Sequence, residues 1–479
     1  MLIPIQDSVP HVALLGSGGG ERAAVALLGS LHQMQEEGLL DTVLYLGGVS
    51  GSTWAMSSLY SDPMWRDNIS RVISTMSGPA VGWDETLAWL KDMKKNDQDF
   101  SLTDVWAAMI ASTIIKEFDT RRLSEDSLNT TNPYPVYNAI EKTCNTENVT
   151  EGKWFEVTPH EAGFTELGLF IETSHLGSKF HAGQLLEERP EMDMVKLQGV
   201  LSSALANEED ILEAMPPVIQ DLYKLYKALT HVLTTGVEDN TTSSSVSETE
   251  QQPQEETSSN QTLKLDKSQA PEEEEKEEEE EEKLDFQWIR ENIFPLIKQW
   301  EWGTTKNFLY GFPEDSGLHS CLQTEDIHLI DAGLSINIPY PPFLGDRRDI
   351  DLIIALEYSA GDMFETVTLA RDYAAKVNKP FPEIDDKVLE DKDWPKDCYV
   401  FQGEGKQPTI VYMPLFNRNN CKDPEEVQEK MNEFSTFQRA YSQEMISSLL
   451  EIAVDNMKNN KDIILKEISK AVERRQNKS

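Results

Sequence analysis

A serine framed by glycines is a candidate nucleophile, and this chain carries one in Gly48-Val49-Ser50-Gly51-Ser52. A tight strand-to-helix turn lifts a serine hydroxyl clear of a sheet, and it admits only small neighbours because the backbone is strained and the helix packs close. The generic pattern has glycine at the fifth place, where this chain has Ser52, and an ordinary Gly/Ser loop is the competing reading. A second cluster, Gly16-Ser17-Gly18-Gly19-Gly20, fits neither familiar phosphate cradle: the sixth position of G-x-G-x-x-G is Glu21, and no Gly-Lys-Ser/Thr follows. It is either a flexible turn or a row of bare N–H groups at a helix start, suited to an anion or a developing oxyanion.

A serine nucleophile needs a base. The usual order in α/β-hydrolases is Ser, then Asp or Glu, then a late His. The eight histidines are His11, His32, His160, His175, His181, His231, His319 and His328, so none follows position 328. Asp331 is the other candidate, because Ile327-His328-Leu329-Ile330 reads as a buried strand ending in Asp331-Ala332-Gly333. An acid between a strand end and a small-residue turn can aim its carboxylate into a cleft; it can equally be a turn or cap residue.

The elements around these residues alternate. His11 to Leu15 is a short apolar run that stops at the first glycine cluster. Ala24, Leu27, Leu28, Leu31 and Met34 then recur at helical spacing, with Gly38 as the C-terminal stop. A second run, Thr42 to Leu46, leads into the Ser50 turn, and Thr53 to Tyr60 reads as helix. Strand, helix, strand, helix implies a parallel βαβ unit, with both glycine turns at the carboxyl ends of neighbouring strands. From Ala440 onward the pattern is helical, with Ile446, Leu449, Leu450 and Val454 on one face. Its basic end is either a membrane-surface helix or, the preferred reading, a docked helix with a solvated face.

Composition narrows the class. The net charge of −41, from 43 basic and 84 acidic residues, excludes nucleic acid as a partner. It also argues against simple attraction to anionic lipid. No run of 18 apolar residues is present, and the first residues carry neither a basic nor a long apolar region, so neither a membrane span nor a signal peptide is expected. With Leu2 after the first Met and no cysteine near the end, neither N-myristoylation nor prenylation is expected. Cys144, Cys321, Cys398 and Cys421 are scattered and are expected to be reduced thiols, not a zinc site. Residues 238–284 are nearly devoid of aromatic and branched apolar side chains, with 17 acidic against 4 basic residues, and are expected to be disordered.

Taken together, Ser17-Gly18-Gly19-Gly20-Glu21-Arg22, Gly48 to Ser52 and Asp331-Ala332-Gly333 resemble the cytosolic phospholipase A2 group of patatin-like acyl hydrolases. The likeness continues through Ser174 to Phe180, Trp302 to Phe308 and Ser359-Ala360-Gly361-Asp362, and is nearest to members without a calcium-binding C2 domain. It implies an α/β fold with a central sheet flanked by helices and a cap region. It implies a Ser50–Asp331 dyad without histidine, an oxyanion hole from Gly19 and Gly20, Arg22 on the substrate phosphate, and neither metal nor cofactor. Ser50 and Asp331 must then share one pocket, so residues 1–479 are expected to form a single catalytic domain with 238–284 inserted. The implied activity is phospholipase A2 and lysophospholipase, on glycerophospholipids and lysophospholipids, by a cytosolic protein peripherally attached to intracellular membranes. A lipid transacylase using the same acyl-enzyme and a catalytically silent lipid-binding protein are the alternatives.

Overall fold

The computed structural model describes residues 9–96, 99–144, 153–203, 215, 217, 219–224, 226–227, 285–299, 303–313, 318, 320–436 and 440–478. The acidic segment 238–284 lies outside them. Met1–Ala214 with Glu301–Ser479 form one compact unit, and Met215–Trp300 form a second. In the second unit Phe294 opens the helix Phe294–Gln299 and meets Tyr223 and Tyr226, with ring centroids 5.0 and 5.2 Å away. Ile289, Ile293 and Ile297 are buried there.

The strands of the first unit are β1 (Val12–Gly16), β2 (Tyr45–Gly48), β3 (Tyr134–Glu141), β4 (Trp154–Val157), β5 (Glu161–Phe164), β6 (Leu169–Glu172), β7 (Lys179–His181), β8 (Gln184–Glu187), β9 (Thr304–Lys306), β10 (Asp326–Asp331), β11 (Leu352–Glu357), β12 (Tyr399–Phe401) and β13 (Thr409–Pro414). Strands β13, β11, β1, β2 and β3 run parallel, in that order. Every residue of β1, β11 and β13 is buried, as a parallel sheet covered on both faces requires. Beyond β3 the sheet continues antiparallel through β4, β5 and β6, and β12 closes the other edge antiparallel to β13. A β7–β8 hairpin stands apart.

The expected βαβ unit is present: β1, helix α1 (Glu21–Glu36) and the parallel β2. Gly38, at φ 67°, takes the left-handed turn just past α1, a conformation glycine adopts without steric cost. The second strand starts three residues later than the apolar run, because Leu40–Thr42 form a 3₁₀ turn in which the Thr42 hydroxyl donates to the Leu39 carbonyl. Helix α2 (Gly51–Tyr60) follows the second glycine turn.

The C-terminal run is two helices, Gln443–Asn459 and Lys461–Lys478. The first buries Ile446, Leu449, Ala453 and Met457, while Leu450 and Val454 are only half-buried. It lies so close to α1 that a Cβ on Gly29 would come 3.0 Å from the Ala453 Cβ. The second is docked: Arg474 donates to the Asp351 carbonyl (2.6 Å), and Arg475 pairs with the Asp351 carboxylate (2.5 Å). Cys398 and Cys421 are free, whereas Cys144 is disulfide-bonded, which corrects the expectation of reduced thiols throughout. Among the described residues no helix is long and apolar enough to cross a membrane.

Candidate active site

Two strands meet end to end on one edge of β3. Strand β2 runs parallel to β3 and ends with Gly48 opposite Tyr137. Strand β10 approaches from the other direction, antiparallel, and ends with Asp331 opposite Ala139. The opposite edge of β3 is occupied by β4 over the same residues, so β2 and β10 share a line. Their carboxyl ends are therefore two β3 residues apart, about 7 Å at the usual rise. The elbow serine follows one end and the carboxylate forms the other. Asn138 lies between them, and its buried amide donates to the Gly48 carbonyl at 3.0 Å.

Ser50 is the N-cap of α2 at φ 50°, ψ −121°, a conformation that costs a non-glycine residue about 1–3 kcal/mol. Its neighbours hold it there. Gly51 is obligatory because a Cβ would sit 1.9 Å from the Gly20 carbonyl oxygen. The Thr53 hydroxyl donates to the Ser50 carbonyl at 2.5 Å. The Ser50 side chain caps nothing and is buried, 3% exposed, with Oγ lacking any partner at ordinary hydrogen-bond geometry.

The group that faces it is Asp331, 2% exposed. One carboxylate oxygen accepts the Gly333 N–H at 2.7 Å. Burial pushes the Asp331 carboxyl up to about 6, opposed first by the Ser50 hydroxyl and then by that N–H. Serine and carboxyl thus lie against each other at looser than ideal geometry, as resting hydrolases often do. The sequence alone offered a carboxylate near 3.9, a weak base for an alcohol. Burial makes it a better one.

The first glycine cluster is pinned from three sides. The Ser52 hydroxyl donates to the Ser17 carbonyl at 2.6 Å, tying the two glycine turns together. The residue that departs from the generic elbow is therefore a bridge. The Ser17 hydroxyl accepts the Tyr358 N–H (2.7 Å) and donates to the Gly18 carbonyl (3.1 Å). Asn337 takes the Gly18 N–H on its own carbonyl (2.9 Å). Gly19 (φ 150°) and Gly20 (φ 60°) complete the turn, and among the described residues neither N–H has an acceptor. Replacing Ser52 by alanine leaves the buried Ser17 carbonyl unpaired and is expected to cost about 1–3 kcal/mol in chemical unfolding. Unchanged stability would show that the bridge is dispensable.

Arg22, expected at a substrate phosphate, is fully buried in α1. Its three nitrogens donate to the Tyr358 carbonyl (2.8 Å), the Phe434 carbonyl (2.5 Å) and the Thr436 hydroxyl (3.0 Å). Glu21 accepts the Tyr441 N–H at 2.9 Å, and burial raises its carboxyl to about 7. Two consecutive charged residues of α1 thereby hold Phe434, Thr436 and Tyr441. Asn337, Asn138 and the role of Ser52 escaped the sequence reading. An isolated Asn or Ser carries no periodicity or spacing that marks it out. Among the described residues no group of three His, Cys, Asp or Glu side chains is placed to hold a metal ion.

Comparison with known proteins gives this architecture its class. Residues 12–388 match the family described as the lysophospholipase catalytic domain, which makes the chain a lipid ester hydrolase. It is 34% identical to human cytosolic phospholipase A2 gamma, over 96% of its own length and 90% of that protein's. The mouse gamma protein is 32% identical over 97% of this chain and 87% of that one. Mouse cytosolic phospholipase A2 zeta is 30% identical over 86% of the chain, which spans only 50% of zeta. The chain belongs to the cytosolic phospholipase A2 family. In fold it is similar to the solved human GIVD cytosolic phospholipase A2, with a TM-score of 0.69 at 22% identity, covering 99% of this chain and 64% of that one.

Proposed function

We propose that the chain is a phospholipase A2 and lysophospholipase that cleaves acyl esters of glycerophospholipids and lysophospholipids through a Ser50–Asp331 dyad. The observation that carries this reading is the buried carboxyl of Asp331 set against the unpartnered Ser50 hydroxyl. Asp331 accepts the Ser50 proton as Oγ attacks the ester carbonyl. The oxyanion accepts hydrogen bonds from the N–H groups of Gly19 and Gly20. Collapse of the adduct expels the lysophospholipid, or the glycerophosphodiester when a lysophospholipid is the substrate, as an alcohol that takes the proton from Asp331. Water then attacks the acyl-enzyme, giving its proton to Asp331, and free fatty acid departs as Ser50 recovers its hydrogen. The human GIVD enzyme has been solved in complex with methyl gamma-linolenyl fluorophosphonate, which fits a serine nucleophile in this fold. Peripheral attachment to a membrane in the cytosol, and a single catalytic domain over 1–479 interrupted at 238–284, belong to the same reading.

A fluorophosphonate with a long acyl chain, followed by peptide mapping, tests it. The label is expected on Ser50. Its rate should follow the ionised fraction of Asp331: level above pH 6, then falling about tenfold per pH unit below, since the base must be deprotonated. A label on another serine, or a limb near pH 4, defeats the assignment. Products from labelled phosphatidylcholine settle the fate of the acyl group: free fatty acid means hydrolysis, and new acylated lipid means transfer.

A further inference from the structure

We infer that Asn337 is a positioning residue that aims the Gly19 N–H at the substrate oxyanion. The inference rests on the Ser50–Asp331 reading and extends it to a side chain outside the glycine and aspartate motifs. In a planar trans peptide the N–H of one residue points opposite to the preceding C=O. Whatever holds the Gly18 carbonyl therefore sets the direction of the Gly19 N–H. The Asn337 amide donates to that carbonyl at 3.1 Å, and the Asn337 main-chain carbonyl accepts the Gly18 N–H at 2.9 Å. One residue thus fixes two successive peptide planes of the turn.

Asn337 is itself held from three directions. Its amide also donates to the Ser359 hydroxyl at 2.5 Å, and Ser359 is anchored by its N–H to the Glu357 carboxylate at 2.8 Å. Its Oδ1 fills the space beside two glycines. A Cβ on Gly18 would come 2.3 Å from that oxygen, and a Cβ on Gly333 would come 2.7 Å from it. Gly333 is the residue whose N–H orients Asp331. The same asparagine therefore sets the glycine turn and the aspartate turn in register, which accounts for glycine at both positions. The Ser17 hydroxyl shares the Gly18 carbonyl, so losing Asn337 misdirects the donor without freeing the turn.

Removing one oxyanion donor costs about 10²–10³ in kcat. With Ser17 still in place, Asn337→Ala is expected to lower kcat on phosphatidylcholine about 10–100-fold, with KM within about twofold. The isosteric Asn337→Asp, which keeps the shape and loses the donor, should fall at least as far. Two ligands separate aiming from scaffolding in the full-length chain. A long-chain trifluoromethyl ketone, which forms a tetrahedral adduct on a serine, should lose affinity in step with kcat. A phosphatidylcholine with ether links in place of both esters forms no oxyanion and should bind as before. Equal losses for both ligands, a kcat within threefold of the parent, or failure of both variants to fold overturns the inference and leaves Asn337 a structural residue. Ser50→Ala measured in parallel tests the underlying reading: if that variant turns over, the dyad fails whatever Asn337 does.

Discussion

Ser50→Ala and Asp331→Asn are each expected to reduce hydrolysis of phosphatidylcholine by about 10⁴-fold or more, while replacing any single histidine leaves a folded variant active. Nucleophile and base act as a unit, so losing either removes nearly the whole chemical advantage of the pair. The aspartate variant carries its own control. Folding lifts the Asp331 carboxyl from its ordinary 3.8 to about 6, so its ionised form is penalised in the native state. The penalty builds as pH rises from about 4 to 6 and stays at about 3 kcal/mol above that. Asparagine has no charge to bury, and its oxygen still accepts the Gly333 N–H. Asp331→Asn should therefore unfold no earlier than the parent at pH 7.5, and later if the carboxylate is the strain the geometry implies. An inactive variant with raised stability is the signature of a residue kept for chemistry. An inactive variant that melts early instead assigns Asp331 to the fold, and an essential histidine would end the dyad.

Arg22→Ala is expected to reduce turnover about 10²-fold or more on phosphatidylcholine and on an uncharged short-chain ester alike. The guanidinium is enclosed, and its nitrogens are committed to two carbonyls and a hydroxyl. Truncation leaves those acceptors buried and unpaired, at about 1–3 kcal/mol for each buried group left unsatisfied, and releases the stretch around Phe434 from the glycine turn. Arg22→Lys should rescue little, because a single ammonium cannot span three acceptors laid out for a planar fork. Steady-state kinetics on the two substrates decide the matter. A loss confined to the phospholipid returns Arg22 to the substrate phosphate, which is the role the family resemblance implied.

The contrast between Ser50 and Arg22 shows where sequence reasoning reaches. Ser50 and the glycines announce themselves because a strained turn excludes almost every other residue, so geometry is written into local composition. The β1–α1–β2 order follows from apolar runs and helical spacing for the same reason. Asp331 was visible only as one of several readings of a strand end, since nothing local says that β10 will stop opposite β2. That meeting depends on strand pairing along β3, a long-range event. Arg22 was placed by analogy, and the analogy is silent about its partners more than 330 positions away. Asn337 was invisible because its hydrogen bonds run to Gly18 and Ser359, both remote from it in the chain. Burial of Asp331, which raises its carboxyl, is likewise a property of the packed whole.

The end-to-end meeting of β2 and β10 has a consequence for biosynthesis. A ribosome adding about 5–20 residues per second exposes Ser50 early, long before the carboxyl proposed to deprotonate it has been made. The acid arrives only after residues 215–300 have been made, and the carbonyls that seat Arg22 emerge later still. On the proposed dyad, ester cleavage is withheld until translation is nearly finished, and a polypeptide cut short before Phe434 is expected to be inactive.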